Sequence, residues 1–561
     1  MKTVPTYQKL RGGYYTPKPI ADFLADWAIK SPRASVMDPS CGDGEMLTAA
    51  AETLERLGAE PSEVANLVHG AELDPREALK AADRMHGMGV APPSDKIHTG
   101  DFFSLCEDRL LEEKLLDVVI SEGEFFDAIV GNPPFIRYQN FPEEHRDKAL
   151  AIMRSIGLKP NRLTNSWVPF IVASTLLLRE RGRIAMVVPA ELLQVNYAAE
   201  LRLFLSEQYG EITLVTFKRL LFHGVQQEVV LLLGERDSSK HTEIRTVELE
   251  STEDLLSYEH AEFSAEALKP MNHTTEKWTQ YFLDHEEIEL LRSLRSNAAL
   301  TVSGEVIDVD VGIVTGLNKF FVLTEQQTRE RSLEPYTRRI VGRSGNLKGL
   351  VFSEEDWMDT AQRQSPAFLF SPPDTPPEQL PDSVREYIAS GVEEGANEGY
   401  KCRIRKRWFI VPSAWTPQAF MLRQIHGYPK IVLNEADATC TDTIHRVKFR
   451  GDRDGREVAA AFLNSATFAF AEVMGRSYGG GVLELEPNEA EKLYVPLCNS
   501  EKLDVAHIHE LLLQGDIESI LDITDKTLLV DGLGLTFEEA KLLRGMWRKL
   551  RDRRINRRRK G

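Results

Sequence analysis

The sequence lacks several features that mark membrane and secreted proteins. No apolar stretch approaches the roughly 18 residues of a membrane-spanning helix; the longest candidate, residues 167–178, contains Ser174 and Thr175. The amino terminus has no apolar segment of the kind found in signal peptides. The five cysteines lie far apart and form no C-x-x-C pair, so the sequence indicates neither a metal site nor disulfides. We therefore expect a cytoplasmic protein with reduced thiols, no metal and no membrane contact.

A surplus of positive charge is also missing. The formal net charge is −18, which taken alone argues against a nucleic-acid partner, since phosphates are contacted by Lys and Arg. The basic residues are clustered, however: five of them lie between positions 401 and 407, and nine lie between 548 and 561. Clusters of this kind are typical either of nucleic-acid contacts or of solvated faces and tails.

From residue 35 to about 233 the chain alternates short β-rich runs with helical stretches. This pattern predicts an α/β fold with a doubly wound, mostly parallel, seven-stranded Rossmann-like sheet. The predicted strands are 34–37, 65–71, 96–98, 126–130, 183–188, 212–217 and 228–233, and the predicted helices are 44–57, 75–85, 167–180 and 196–207.

The pattern changes after residue 235, so we expect four segments. Residues 1–235 form the α/β domain, and the acidic, polar residues 236–300 form a linker or small subdomain. Residues 301–500, with short mixed runs rich in turn residues, form a second, α+β domain. Residues 501–561 are a helical segment with a basic tail.

Three predicted strands in succession end in groups that suit one nucleoside-type ligand. After the first strand, a glycine turn brings backbone N–H groups toward a ligand; its candidates are Asp38, Pro39, Cys41, Gly42 and Gly44. After the second, Glu72 is placed to accept hydrogen bonds from a ribose diol. After the third, Asp101 can accept from an adenine amino group while Phe102 packs on the ring. Each feature alone also fits an ordinary strand-to-helix turn, but three in order favour a ligand site.

The fourth strand leads into Asn132, Pro133, Pro134 and Phe135. The exocyclic amine of an adenine is a poor nucleophile because its lone pair is delocalised. The Asn132 side-chain oxygen and the Pro133 carbonyl can accept its two N–H bonds and stabilise the positive charge of an attacking nitrogen, and consecutive prolines hold that carbonyl rigidly. Phe135 can stack on a base that has left the helix. The alternative is a rigid Asn-Pro turn.

These motifs, in this order, resemble the gamma-class amino-methyltransferases of bacterial restriction-modification systems, especially the TaqI-like adenine-N6 enzymes. The segment 13–17 resembles the family's additional cofactor motif, which implies that Thr16 and Pro17 contact the methionine end of S-adenosylmethionine, with Asn132 also beside this cofactor. The resemblance implies methyl transfer to N6 of a flipped-out adenine in double-stranded DNA, and a restriction endonuclease that acts separately. Asn132 favours adenine, because cytosine-N4 relatives usually have Ser there; Phe135 replaces the more usual Tyr.

The carboxy-terminal half resembles TaqI-like target-recognition domains in the segments 312–321, 407–412 and 477–483. The resemblance places DNA contacts at Thr315, Asn318, Lys319, Arg407 and Gly480, and a second aromatic beside the flipped base at Phe222. Each of these also fits a turn or core position.

Two other functions stay open from the sequence. A bifunctional restriction-modification protein would also cleave DNA, but we expect a nuclease segment to precede the methylase motifs, and no convincing group of carboxylates and lysine is recognisable. A non-catalytic DNA-binding module with a methylase fold is the third possibility, and the intact Asn132–Phe135 loop argues against it.

Overall fold

The computed structural model describes residues 15–90, 96–107, 125–219, 228–237, 242–257, 267–272, 276–478 and 480–556. It divides into two compact units; the first extends to Phe282, and the second comprises Leu283–Ile555. This division lies within the segment 236–300 that the sequence suggested as a linker or small subdomain. No helix of the described residues is long and apolar enough to cross a membrane.

The first unit is built on one sheet of nine strands. They are β1 Val36–Asp38, β2 Val68–Glu72, β3 Ile97–Thr99, β4 Phe126–Gly131, β5 Leu178–Pro189, β6 Tyr209–Phe217, β7 Val229–Arg236, β8 Glu243–Leu249 and β9 Lys269–Pro270. Their order is β3-β2-β1-β4-β5-β7-β6-β8-β9. The α/β class and the doubly wound arrangement agree with the prediction, but the seven-stranded count is wrong, because β8 and β9 from the expected linker extend the sheet.

The sheet is mixed in direction. The neighbours from β3 to β5 are all parallel, whereas β7 runs antiparallel to both β5 and β6, and β9 runs antiparallel to β8. The chain passes from the central β1 to β2 and β3 on one side and then crosses to β4 on the other. Such a reversal leaves a crevice at the carboxyl ends of the strands, where α/β proteins bind ligands.

Eight helices of the first unit have described bounds. They are α1 Lys18–Ala28, α2 Glu45–Arg56, α3 Pro61–Leu67, α4 Pro75–Gly87, α5 Glu143–Ser155, α6 Trp167–Leu176, α7 Ala199–Gln208 and α8 Asp254–Ser257. Residues 102–107 are also helical.

Two predicted elements need correction. Helix α3 occupies the first part of the predicted strand 65–71, because Glu60 and Glu63 form a capping box and Pro61 takes the first helical position. Helix α6 ends at Leu176 rather than at residue 180, because β5 already begins at Leu178. The register between β5 and β4 shifts at a bulge that contains Arg181, whose φ is 63°.

The core of the first unit packs α1 and α2 against the sheet. Its fully buried side chains include Leu24, Leu47, Val36, Val130 and Leu231. The alanines of α2 keep that helix close to the strands, which fixes where the strands end and therefore where the crevice opens.

The second unit contains four smaller sheets. Its strands are β10 Leu300–Val302, β11 Ile307–Val311, β12 Val322–Leu323, β13 Thr337–Val341, β14 Val351–Phe352, β15 Phe368–Phe370, β16 Ala419–Leu422, β17 Gln424–Ile425, β18 Ile431–Asn434, β19 Thr439–Cys440, β20 Ile444–Phe449, β21 Arg476–Tyr478, β22 Val482–Glu484 and β23 Tyr494–Pro496. The largest sheet has the order β11-β20-β16-β18-β14.

The α-helices of the second unit are interspersed with these strands along the chain. They are α9 His285–Arg295, α10 Asn318–Phe321, α11 Glu325–Glu330, α12 Glu354–Gln362, α13 Asp382–Glu393, α14 Tyr400–Arg403, α15 Gly455–Ala461, α16 Ser465–Met474, α17 Pro487–Ala490, α18 Val505–Gln514, α19 Ile517–Thr524 and α20 Phe537–Ile555. Helix α16 is buried from Ser465 to Val473, as expected for a helix inside a core. Its one charged side chain, Glu472, pairs with Arg554 at 2.6 Å.

Candidate active site

A cavity of about 280 Å³ lies where β1, β2, β3 and β4 end. Each of these strands contributes to its wall immediately after its last residue: Pro39 follows β1, Leu73 follows β2, Gly100 follows β3 and Asn132 follows β4. The cavity therefore occupies the crevice at the reversal of strand order. It brings together six of the predicted cofactor residues, which are Pro39, Gly42, Glu72, Asp101, Phe102 and Asn132.

The glycine turn after β1 is held in place by backbone hydrogen bonds. The Cys41 N–H donates to the Ala71 carbonyl at 2.9 Å, and the Gly44 N–H donates to the Cys41 carbonyl at 2.8 Å. Gly42 and Gly44 have φ values of 53° and 91°, the left-handed region that favours glycine. A Cβ on Gly44 would also lie 2.8 Å from the Cα of Ala81, so only glycine fits against α4.

Glu72 links the glycine turn to the end of β2. Its Oε2 accepts from the Gly42 N–H at 3.0 Å, and its Oε1 accepts from the Asp74 N–H at 2.8 Å. These bonds orient the carboxylate while it faces the cavity. A carboxylate oxygen can accept more than one hydrogen bond, and Glu72 lines the cavity.

Asp38 is buried rather than presented to the cavity. Its Oδ1 accepts from the Ser40 N–H at 3.0 Å and stands close to β4, because a Cβ on Gly131 would lie 3.0 Å from it. Burial, only partly offset by that hydrogen bond, raises the pKa of Asp38 to about 8. Asp38 thus joins the ends of β1 and β4. The neighbouring Cys41 is buried, and burial raises the pKa of its thiol.

Aromatic rings line the side of the cavity beside Asp101. Phe102 stacks on Phe170 with ring centroids 5.4 Å apart and planes 6° apart, and Phe103 meets Phe170 edge-on at 4.7 Å. Phe141 approaches Phe103 at 6.3 Å. We name Phe102, Phe103, Phe141 and Phe170 the aromatic cluster. It provides an apolar surface next to a carboxylate, which suits a flat, weakly basic ring.

Asp101 contacts two neighbouring elements. Its carboxylate accepts from the Phe103 N–H at 3.3 Å and from the Ser104 hydroxyl at 3.2 Å, which caps the helical residues 102–107. The Nδ1 atom of His145 on α5 lies 3.3 Å from Asp101 Oδ2, without hydrogen-bond alignment. The same helix provides Lys148, which donates to Ser104 at 2.9 Å.

The loop after β4 is anchored at its start by two other segments. The side-chain nitrogen of Asn132 donates to the Thr16 hydroxyl at 3.2 Å. The backbone carbonyl of Asn132 accepts from the Ser40 hydroxyl at 3.4 Å. The structure therefore places Thr16 next to Asn132; the predicted contacts of Thr16 and Pro17 with the cofactor stay predictions. Pro17 caps α1, and its carbonyl accepts from Ile20 at 2.9 Å.

The three residues after Asn132 occupy different environments. Pro133 is buried, and Pro134 lines the cavity. Phe135 is partly buried and packs against the core of the first unit. Phe135 is thus not in the cavity wall, and its predicted stacking on a base stays a prediction.

The end of this loop is held by the residues just before α6. The Ser166 hydroxyl donates to the Pro134 carbonyl and accepts from the Ile136 N–H at 2.8 Å, and the Ser166 N–H donates to the Ile136 carbonyl at 2.9 Å. The Asn165 Oδ1 accepts from the Tyr138 N–H at 3.3 Å. We name these contacts of Asn165 and Ser166 the loop clamp.

Sequence reasoning missed several cavity residues. Phe141, His145 and Phe170 line the cavity, yet they lie on or next to helices well after the Asn132 loop. Tyr15 and Glu77, joined by a 3.2 Å hydrogen bond, form another part of the wall. The available signal was the aromatic content around α5 and α6, which by itself predicts only a core.

The predicted DNA contacts of the second unit differ in exposure. Asn318 and Lys319 are exposed at the start of α10, and Gly480 is exposed with a φ of 107°. Thr315, by contrast, is buried, and its hydroxyl donates to the Asn318 side chain, which secures the turn before α10; its predicted contact with DNA stays a prediction. Arg407 is half-buried and forms an ion pair with Asp374. Phe222 lies outside the described residues.

Two families match the chain. Residues 2–304 match the family described as N-6 DNA Methylase, and residues 275–529 match the C-terminal domain of Type II methyltransferase M.Eco57I.

Individual relatives are consistent with both matches. Type II methyltransferase M.BanIII of Aneurinibacillus aneurinilyticus is 31% identical over 222 residues, which cover 37% of this chain and 35% of M.BanIII. M.XamI of Xanthomonas campestris pv. amaranthicola is 22% identical over 509 residues, which cover 86% of this chain and 85% of M.XamI. The DNA complex of the Type IIL restriction-modification enzyme MmeI has the same fold, with a TM-score of 0.56 at 11% identity over 96% of this chain and 75% of MmeI. The two families and the Type II methyltransferase relatives favour methyl transfer over the cleavage alternative.

Proposed function

The chain belongs to the N-6 DNA Methylase family, and on that premise we propose that it is a gamma-class enzyme that transfers a methyl group from S-adenosylmethionine to N6 of an adenine in double-stranded DNA. The observation that carries the proposal is the convergence of Glu72, Asp101, Phe102 and Asn132 on one cavity. Carboxylates, an aromatic surface and an amide are the groups that a nucleoside cofactor and an amine substrate require.

The cavity wall has the chemistry that the cofactor needs. Glu72 would hold the ribose diol, Asp101 the adenine amino group, and the aromatic cluster the adenine ring. Thr16, bonded to Asn132, would meet the methionine end of the cofactor. When bound, S-adenosylmethionine supplies an electrophilic methyl group on a positively charged sulfur.

Asn132 and Pro133 would bind the target amine. The side-chain nitrogen of Asn132 donates to Thr16, and its side-chain oxygen would serve as one acceptor. The Pro133 carbonyl is the second acceptor. Two acceptors on the amine protons draw the nitrogen toward tetrahedral geometry and stabilise its developing positive charge. We propose that Phe135 stacks on the base once it leaves the duplex, with Phe222 as a second aromatic beside it.

The second unit, in this proposal, selects the DNA site. Lys319 at α10 and Lys401 at α14 are exposed, and a Cβ on Gly316 would lie 3.1 Å from the Lys401 Cβ, so the two segments adjoin. Arg405 fixes this arrangement by donating to the carbonyls of Val314 and Thr315 at 2.9 and 2.8 Å. Exposed lysines here would contact phosphates.

The test is methyl transfer by the purified chain from labelled S-adenosylmethionine to DNA of mixed sequence. The expected product is N6-methyladenine. Methylated cytosine, or label only in RNA or protein, would refute the proposal. Asn132→Ala should abolish transfer while cofactor affinity changes little; a variant that loses cofactor binding as well would mean that Asn132 has a different role. A host restriction-modification role predicts a separately acting endonuclease with the same site.

A further inference from the structure

The loop clamp connects the proposed catalytic loop to a partly buried polar network. Ser166 is fully buried, and its hydroxyl both donates to and accepts from the loop backbone, at Pro134 and Ile136. Two hydrogen bonds through one hydroxyl fix the loop in position and in register, whereas apolar packing would fix only its distance from α6.

The clamp is itself held from the other side. The Asn165 amide nitrogen donates to the Tyr197 hydroxyl at 2.9 Å and lies 3.3 Å from Glu191 Oε2, and the Tyr197 hydroxyl donates to the same carboxylate. Burial, together with the Glu191 charge, raises the pKa of Tyr197, so its hydroxyl remains protonated. Buried networks in which each member has partners are rigid.

The segment that carries Glu191 and Tyr197 follows β5 and is also tied down. Arg202 on α7 is buried, and its guanidinium donates to the carbonyls of Leu192 and Val195 at 2.9 and 3.1 Å. The carboxyl ends of β4 and β5 are adjacent in the sheet, so the loops after both strands are joined through Asn165.

We infer that Ser166 and Asn165 are positioning residues for methyl transfer. Through the loop clamp they hold Pro134 to Tyr138 so that the Asn132 amide and the Pro133 carbonyl keep the spacing that the target amine requires. The inference rests on the proposed function, because it concerns the same reaction. It assigns the rigidity of the loop to side chains outside the Asn132–Phe135 motif.

Helix α6 offers a matched control for the experiment. Ser174 lies on α6, whereas Ser166 immediately precedes it. Both serines have zero exposure, and the Ser174 hydroxyl has no hydrogen-bond partner among the described residues. Ser166→Ala and Ser174→Ala therefore remove the same atom from equally buried places, but only the first cuts the loop clamp.

The experiment measures single-turnover methyl transfer at saturating S-adenosylmethionine, cofactor affinity, and amide hydrogen exchange by mass spectrometry. Ser166→Ala should transfer methyl about 10- to 100-fold more slowly than wild type, the size of effect that a small misplacement of reacting groups causes. Ser174→Ala should stay within about twofold of wild type. Cofactor affinity should be similar in both, and the Ile136 amide should exchange faster only in Ser166→Ala.

Each outcome is decisive. Equal transfer rates for Ser166→Ala and Ser174→Ala, or unchanged exchange at Ile136, would overturn the inference. If Ser166→Ala does not fold, Asn165→Ala replaces it, since Asn165 is only half-buried; normal transfer and normal exchange at Tyr138 in that variant would overturn it equally. A wild-type chain that methylates no adenine refutes the proposed function instead.

Discussion

Replacing Glu72 by Gln tests the cofactor pocket at the group that organises it. The Glu72 carboxylate accepts one backbone N–H on each oxygen, from Gly42 and from Asp74. Gln has one acceptor oxygen, and its amide nitrogen is a donor. In Glu72→Gln one of these N–H groups therefore meets another donor, and the cavity loses a negative charge that the ribose hydroxyls need.

The size of the effect follows from these contacts. Hydrogen bonds to a charged group contribute about 1.5–3 kcal/mol each, and the variant loses one backbone bond and weakens the acceptor offered to the diol. Because Glu72 is only half-buried, water partly compensates. We expect a loss of about 2–3 kcal/mol in cofactor binding, or about a 30- to 150-fold rise in Kd.

The assay is titration calorimetry with S-adenosylmethionine. Asp127→Asn is the control: this carboxylate also accepts a backbone N–H, from Ser35 at 2.8 Å, and pairs with Arg179 at 2.7 Å, but it lies near the amino end of β4, at the opposite edge of the sheet. Asp127→Asn should lower the unfolding temperature and leave the Kd for S-adenosylmethionine unchanged. A Kd for Glu72→Gln within threefold of wild type would refute the assignment of the diol to Glu72.

Three further predictions concern the turn, the buried acid and the second unit. Gly44→Ala should destabilise the protein by about 3 kcal/mol, because it combines a left-handed φ with a steric clash. The control Gly89→Ala has a φ of 81° and no atom within 4 Å of its Cβ, so it should destabilise the protein by about 1–2 kcal/mol. Equal decreases in the free energy of unfolding, measured in urea, would contradict the packing argument. The pKa of Asp38 is raised to about 8, so the native protein holds a proton that the unfolded chain releases near pH 4. The stability that this proton contributes is fully present in acid and is lost as the pH rises through 8. The unfolding free energy of the wild type should therefore fall relative to that of Asp38→Asn between about pH 4 and pH 8. A difference in unfolding free energy between the two proteins that does not change with pH would refute the raised pKa. Replacing Lys319 and Lys401 together by Ala should weaken DNA binding and reduce the slope of log K against log salt by about 1.8, or 0.9 per phosphate contact; an unchanged slope would exclude both as contacts.

The parts of the site that follow strand ends were predictable from the sequence. Glycines, acids and the Asn-Pro-Pro loop appear directly after apolar β-rich runs, and parallel strands bring their carboxyl ends to one edge of a sheet. The meeting of Glu72, Asp101 and Asn132 in one cavity could therefore be predicted without knowing how the side chains pack. The family resemblance is confirmed at the level of the N-6 DNA Methylase family.

The parts that depend on tertiary packing were not predictable. Phe141 and Phe170 reach the cavity only because α5 and α6 pack beside it. In the sequence, the residues around these two phenylalanines look like those around any aromatic residue of a core. Thr315 has the polarity of a DNA contact, but its burial depends on the neighbouring segment around Arg405. The nine-stranded sheet was missed because the polar, acidic composition around β8 resembles a linker, although an edge region of a sheet tolerates such residues.

The hydrogen bond between Asn132 and Thr16 joins residues 116 positions apart, and this separation has a consequence for synthesis on the ribosome. Strands β1, β2 and β3 can pair as they emerge, but the pocket is closed only when β4 docks beside β1 and delivers Asn132 to Thr16. Contacts so distant in the chain form late and slowly. We therefore expect no affinity for S-adenosylmethionine until the residues through Phe170, the last in chain order to line the cavity, have left the ribosome. Cofactor capture by stalled nascent chains of increasing length would then time the docking of β4 beside β1.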